Sequence, residues 1–152
     1  MTPRRLVELE LKLANMMFDQ LKVIHPMVVF VKGEQRAMMP AEFHSELDKD
    51  QLAQTVRELV KRSEPDCVVY IAEAWAVIST KEEVEKGLRP MHHPNREEIV
   101  FLQIEFKTGE KYSCEARIVR EKGEARLDKW NVKSDAFSVG RFVDFYPIGR
   151  TN

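Results

Sequence analysis

Two carboxylates and a lysine stand where metal-assisted phosphodiester hydrolysis could use them. Pro65-Asp66 comes first, and Glu105-Phe106-Lys107 follows later in the chain. A pair of acidic side chains can hold a divalent cation at a phosphodiester, and a nearby lysine can position the attacking water. The chain allows such a meeting. Asp66 opens one strand, Glu105 and Lys107 end the next, and antiparallel pairing brings those ends together. A plainer reading uses the same residues. Pro-Asp is a common turn pair after a helix, and Glu-x-Lys recurs at Glu10-Leu11-Lys12. Glu105 and Lys107 also alternate with an apolar face, as a solvated hairpin does.

Three further groups carry chemical potential. His92-His93 is a pair that zinc accepts, but a structural site needs about four ligands at fixed spacing, and no HxH, HExxH or cysteine partner accompanies it. Arg89, His92, His93 and Arg96 are four potential cations in one connector. They can receive an anion or phosphate, although Glu97 and Glu98 follow at once and offset them. Glu73, beside Trp75, lies on an apolar strand face. A carboxylate there needs a cation or a shifted pKa, and an ion pair with an arginine such as Arg117 is the structural explanation. No glycine-rich phosphate loop, GxSxG elbow or CxxC motif is present. No cofactor or metal is expected. The candidate binding residues are Glu73, Arg89, His92, His93 and Arg96.

These residues depend on their elements. The spacing predicts a helix over 4–23, with Thr2 as N-cap and Pro3 at the first position. Its stripe is Leu6, Leu9, Leu13, Met16, Met17 and Leu21, continued by Ile24. Met27–Val31 and Arg36–Met39 read as strands around a Lys32-Gly33-Glu34-Gln35 turn. A second helix starts at Asp48, with Gln51 at capping-box spacing, and Ser63-Glu64-Pro65 stops it. Cys67–Ser79 is a long strand, apolar on both faces and therefore central. A long connector spans Thr80–Arg96. Glu98–Lys107 and Lys111–Arg120 form a hairpin turned at Thr108-Gly109, and Ala125–Trp130 follows as another strand. The tail from Phe137 to Tyr146, with Phe142 and Phe145, reads as an edge strand or interface segment. The expectation is α+β: about five antiparallel strands with two main helices packed on one face. A single domain spans 1–152, with 131–152 as an extended tail.

Composition narrows the function classes. Lysine and arginine number 24 against 25 aspartates and glutamates, a net charge of −1. Nucleic-acid binding is therefore not indicated by charge. No apolar run reaches the ~20 residues of a membrane span, and the start, Met1-Thr2-Pro3-Arg4-Arg5, has no secretory pattern. Cys67 and Cys114 are expected as reduced, buried thiols in a cytoplasmic protein. The methionines (Met16, Met17, Met27, Met38, Met39 and Met91) suit either core filling or adaptable partner binding.

Three resemblances follow. Pro65-Asp66 with Glu105-Phe106-Lys107 resembles the PD…(D/E)xK pattern of a large nuclease superfamily. That resemblance implies Asp66 and Glu105 as metal ligands, with Lys107 beside the water. The family's usual helix between or after those strands is not evident. The element order is similar to profilin-like and roadblock-type domains, which are often homodimers or scaffold modules. The third rests on Ala72-Glu73-Ala74-Trp75, then Arg89-Pro90 and His93-Pro94-Asn95-Arg96-Glu97-Glu98. This resembles small uncharacterised proteins of bacterial and phage genomes that share an EAW strand and a Pro-x-x-His-Pro-x-Arg-x-Glu loop. It covers residues 67–107 and transfers no catalytic role. The leading expectation is a non-enzymatic homodimer or protein-interaction module, acting through the aromatic tail and an exposed sheet edge. The alternative is a metal-dependent nuclease using Asp66, Glu105 and Lys107.

Overall fold

The structure is a computed structural model, and it describes residues 2–42, 44–76, 86, 96–134 and 145–146. Helix α1 runs Pro3–Leu21. Thr2 caps it by accepting the Arg5 amide at 3.3 Å. At its other end Lys22 takes a left-handed φ of 59°. Helix α2 runs Glu46–Ser63, starting before the expected Asp48. Ser45 is the cap, accepting the Asp48 amide at 3.1 Å. The Asp48 carboxylate in turn accepts the His44 amide at 3.2 Å. Asp48 therefore serves as the returning member of the cap rather than as the cap itself.

The described residues form seven antiparallel strands. They are β1 (Met27–Lys32), β2 (Gln35–Pro40), β3 (Cys67–Ala76), β4 (Glu97–Phe106), β5 (Lys111–Glu121), β6 (Glu124–Leu127) and β7 (Asn131–Ser134). Their order is β2-β1-β3-β4-β5-β6, with β7 also on β5. Gly33, at φ +59°, opens the two-residue turn between β1 and β2, a conformation in which a Cβ is strained. The expected strand over Ala125–Trp130 is divided in two. Leu127 pairs with Ile118 and Asn131 with Glu115, so one strand advances by one residue more than its partner. That is a bulge. Trp130 there donates its indole N–H to the Asn15 amide oxygen of α1 at 2.9 Å.

The α+β class with an antiparallel sheet is as expected, with two differences. Among the described residues the sheet has seven strands rather than about five, and the helices lie on opposite faces rather than one. The α1 side buries Leu6, Val7, Ala14 and Phe18 with Val29, Val31, Val69, Ile71, Leu102 and Ile104. The α2 side buries Ala53, Val56 and Val60 with Val28, Val68, Tyr70 and Ala72. The cause is in β3. Both of its faces are apolar, and a strand apolar on both faces needs cover on both. Among the described residues no helix is long and apolar enough to cross a membrane.

Helix α1 is also rotated from its predicted stripe. Leu6, Val7, Glu10, Ala14 and Phe18 are buried, whereas Leu9, Met16 and Leu21 are exposed. At 100° per residue the apolar arc is wider than the surface the sheet covers. Two contacts orient it. Glu10 reaches Arg36 on β2, and Asn15 reaches Trp130 beyond β6. Further round the helix, beyond Glu10, Met17 and Leu6, Leu13 is half-buried and Leu9 and Met16 are exposed.

Candidate functional site

Asp66 and the Glu105–Lys107 segment do meet, but through their backbones. The Lys107 amide donates to the Asp66 carbonyl at 2.9 Å, and the Asp66 amide donates to the Val31 carbonyl at 2.7 Å. The carboxylates turn to separate partners. Asp66 is exposed and accepts the Gly33 amide at 2.7 Å, which fixes the β1–β2 turn. Glu105 faces α2 and is buried, with 9% of its surface exposed. It accepts the backbone amides of Phe145 and Tyr146 at 3.1 and 3.3 Å. The Tyr146 hydroxyl donates to the Pro65 carbonyl at 2.7 Å. Two expectations change here. Glu105 is not a solvated hairpin residue, and Phe145 and Tyr146 are buried inside this chain rather than presented as an interface. Two N–H donors offset the cost of burying the carboxylate. Among the described residues no group of three or more His, Cys, Asp or Glu side chains is placed to hold a metal.

Of the binding candidates, Arg89, His92 and His93 lie outside the described residues, as do the connector's Met91 and the tail's Phe137 and Phe142. Glu73 is half-buried on the α1 side and accepts the Ile24 amide at 2.8 Å. This anchors the chain just beyond α1. The expected pairing with Arg117 does not form, because the register places Arg117 opposite Ile99, on the other face. Arg117 pairs instead with Glu97 at 3.3 Å and Asp128 at 3.4 Å. Arg96 stacks over the Trp75 ring, its guanidinium carbon 4.7 Å from the centroid, a cation–π contact. Beside it Arg120 donates to Glu98 at 2.7 Å, and that hydrogen bond raises the Arg120 pKa. Glu73, Trp75 and Arg96 thus share one face and one end of the sheet, and the acids Glu98 and Glu97 are interleaved with the arginines.

The cysteines carry no nucleophile. Both are free and buried. Burial pushes the Cys67 thiol up to about 12 and Cys114 up to about 11, against an ordinary value of about 8.5. Neutral thiols are poor nucleophiles. The folded protein should therefore resist alkylation at pH 8, and unfolding in urea should release both thiols to the reagent. A thiol that holds its proton when folded and loses it when unfolded stabilises the fold below the ordinary pKa. That stabilisation is lost as pH rises from about 8.5 towards 12.

The buried pair Glu10–Arg36 is not among the candidates read from the sequence. Glu10 is 4% exposed, inside the apolar arc of α1, and both its oxygens accept from Arg36, Nη2 reaching Oε2 at 2.8 Å. The paired carboxylate raises the Arg36 pKa. An acid in the middle of an apolar stripe was the available signal.

Arg36 stands on β2, a sheet edge. The Ala41 amide donates to the Pro26 carbonyl at 2.9 Å, which continues the register Met27↔Pro40. Antiparallel pairs alternate, so Gln35, Ala37 and Met39 turn their amides to β1. Arg36 and Met38 turn theirs outward, and Pro40 has no amide to present. No strand lies beyond β2 among the described residues. Met38 is 64% exposed and shares the α1 side with Arg36.

Comparison with known proteins agrees with the resemblance read at residues 67–107. A family model described as bacteriophage lambda protein ea47 matches residues 4–148. No curated protein and no solved structure matches the chain. The match covers nearly the whole sequence, and the chain therefore belongs to the bacteriophage lambda Ea47 family.

Proposed function

We propose that this Ea47-family protein is a non-enzymatic, self-associating interaction module that works in the cytoplasm. The observation that carries this reading is the β2 edge. Its outward amides run beside Met38 on the α1 side of the sheet, the side on which α1 also leaves Leu9 and Met16 exposed. Met16 is 58% exposed and Met38 64%. Exposed edges are usually blunted by charge, by bulges or by a covering element, and exposed apolar patches beside them mark association surfaces. The charge of Arg36, the edge's own cation, is held inward by Glu10. The occupant that suits this edge is a second copy of the chain, because a strand edge with matched donors and acceptors complements itself.

Mass measurement by light scattering tests the reading. The expected species is a dimer of the 17.8 kDa chain. Met38→Lys adds a charge at the edge and should return the protein to monomer, with an unchanged circular dichroism spectrum. A wild-type protein that stays monomeric up to high micromolar concentration would refute self-association.

A further inference from the structure

We propose that two copies join through β2 in antiparallel register, with the two-fold axis at Ala37, so that the sheets of both copies become one. This rests on the self-association reading above and adds the pairing that makes it. Two-fold interfaces bring the same residues of each copy together. The outward-facing residues of β2 decide where the axis falls. An axis at Arg36 places two guanidinium-bearing side chains directly opposite, and like charges in that position repel. An axis at Met38 sets Arg36 against the second copy's Pro40, which has no N–H to return. An axis at Ala37 avoids both. Arg36 then faces the second copy's Met38, and Met38 faces the second copy's Arg36. Each of those pairs exchanges two N–H···O bonds, giving four across the joint. Pro40 falls opposite the second copy's Glu34, in the turn, where no ladder bond is required.

Side chains agree with this register. On the α1 face each Met38 lies along the aliphatic stem of the second copy's Arg36. The Arg36 head stays on its own Glu10, so no unpaired charge enters the joint. The opposite edge of the sheet is a poorer partner. Strands β6 and β7 have four residues each and are separated by the bulge at Asp128–Trp130, and Lys133 stands on β7. Bulges and edge lysines discourage strand addition.

Cross-linking tests the register. Ala37 is exposed and lies opposite its own copy at a non-hydrogen-bonded pair, where Cα atoms approach to about 4.5 Å, within disulfide range. Cys67 and Cys114 are buried, so the wild-type protein supplies no competing thiol. Under mild oxidation Ala37→Cys should convert to a covalent dimer, while wild type and Val132→Cys, on the opposite edge, should not. If the protein is dimeric by mass yet Ala37→Cys does not cross-link, the register is overturned and self-association stands. If Val132→Cys cross-links as readily as Ala37→Cys, the bonds are collisional or the edge is wrong, and the register is again overturned. A monomeric mass with no cross-linking overturns both.

Discussion

Arg36→Ala is expected to lower the free energy of unfolding by about 3–5 kcal/mol, the range for removing one partner of a buried ion pair. The substitution strands Glu10, which is 4% exposed and lies in the apolar arc of α1 beneath which Cys67 and Val31 pack. Glu10→Ala should cost less. The Arg36 side chain is 29% exposed and sits on an edge strand, so its head can swing to water once released. The pair is therefore asymmetric, and the asymmetry separates burial from simple loss of contacts. Replacing both residues with methionine should recover most of the stability, since two apolar groups of similar volume remove the charge with its partner. Urea unfolding of the four proteins tests this. If Glu10→Ala proves as damaging as Arg36→Ala, Glu10 is not the trapped charge. If the double replacement is worse than both, the pair contributes net stability rather than compensating for its own burial.

Glu105→Ala is expected to be comparably severe, at about 2–6 kcal/mol. The change leaves the Phe145 and Tyr146 amides without their acceptor, at about 1–3 kcal/mol for each buried unsatisfied donor. Glu105→Gln keeps the shape but turns one acceptor into a donor, so it should lose roughly half as much. The Tyr146 hydroxyl pins the same dipeptide to Pro65, so Tyr146→Phe and Glu105→Ala should be coupled: the double variant should lose less than the sum of the singles. Additive losses would show that Glu105 acts elsewhere than on this segment. A cost for Glu105→Ala below about 0.5 kcal/mol, the range of an ordinary surface substitution, would mean that the carboxylate is hydrated in solution.

Both effects bear on the chemistry first suggested by the sequence. Asp66 and Glu105 resemble a metal-binding pair in their sequence pattern, and the fold does bring their segments together. Asp66 nevertheless holds a turn, and Glu105 holds Phe145 and Tyr146. The likeness was real at the level of strand adjacency, which alternation and turn residues encode. Where each carboxylate turns depends on groups remote in sequence, Gly33 for one and Phe145 for the other.

What the sequence alone determined is what neighbouring residues decide. The first hairpin follows from Gly33 and its flanking strands, and the second from the alternation of Val100, Leu102, Ile104 and Phe106 around Thr108-Gly109. The central place of β3 follows from two apolar faces, and the α1 cap from Thr2 and Pro3. Tertiary structure alone decided which side of α1 is buried, because Leu9 and Phe18 are equally apolar and only the width of the sheet and the reach of Glu10 to Arg36, 26 residues away, choose between them. It decided that Glu73 serves a backbone amide rather than Arg117, because strand register sets which face each occupies. It also decided that Glu105 is buried, since the amides that donate to it lie 40 and 41 residues further on. Local patterns fix elements. Partners for buried charge are fixed by packing, and packing joins residues that no spacing rule connects.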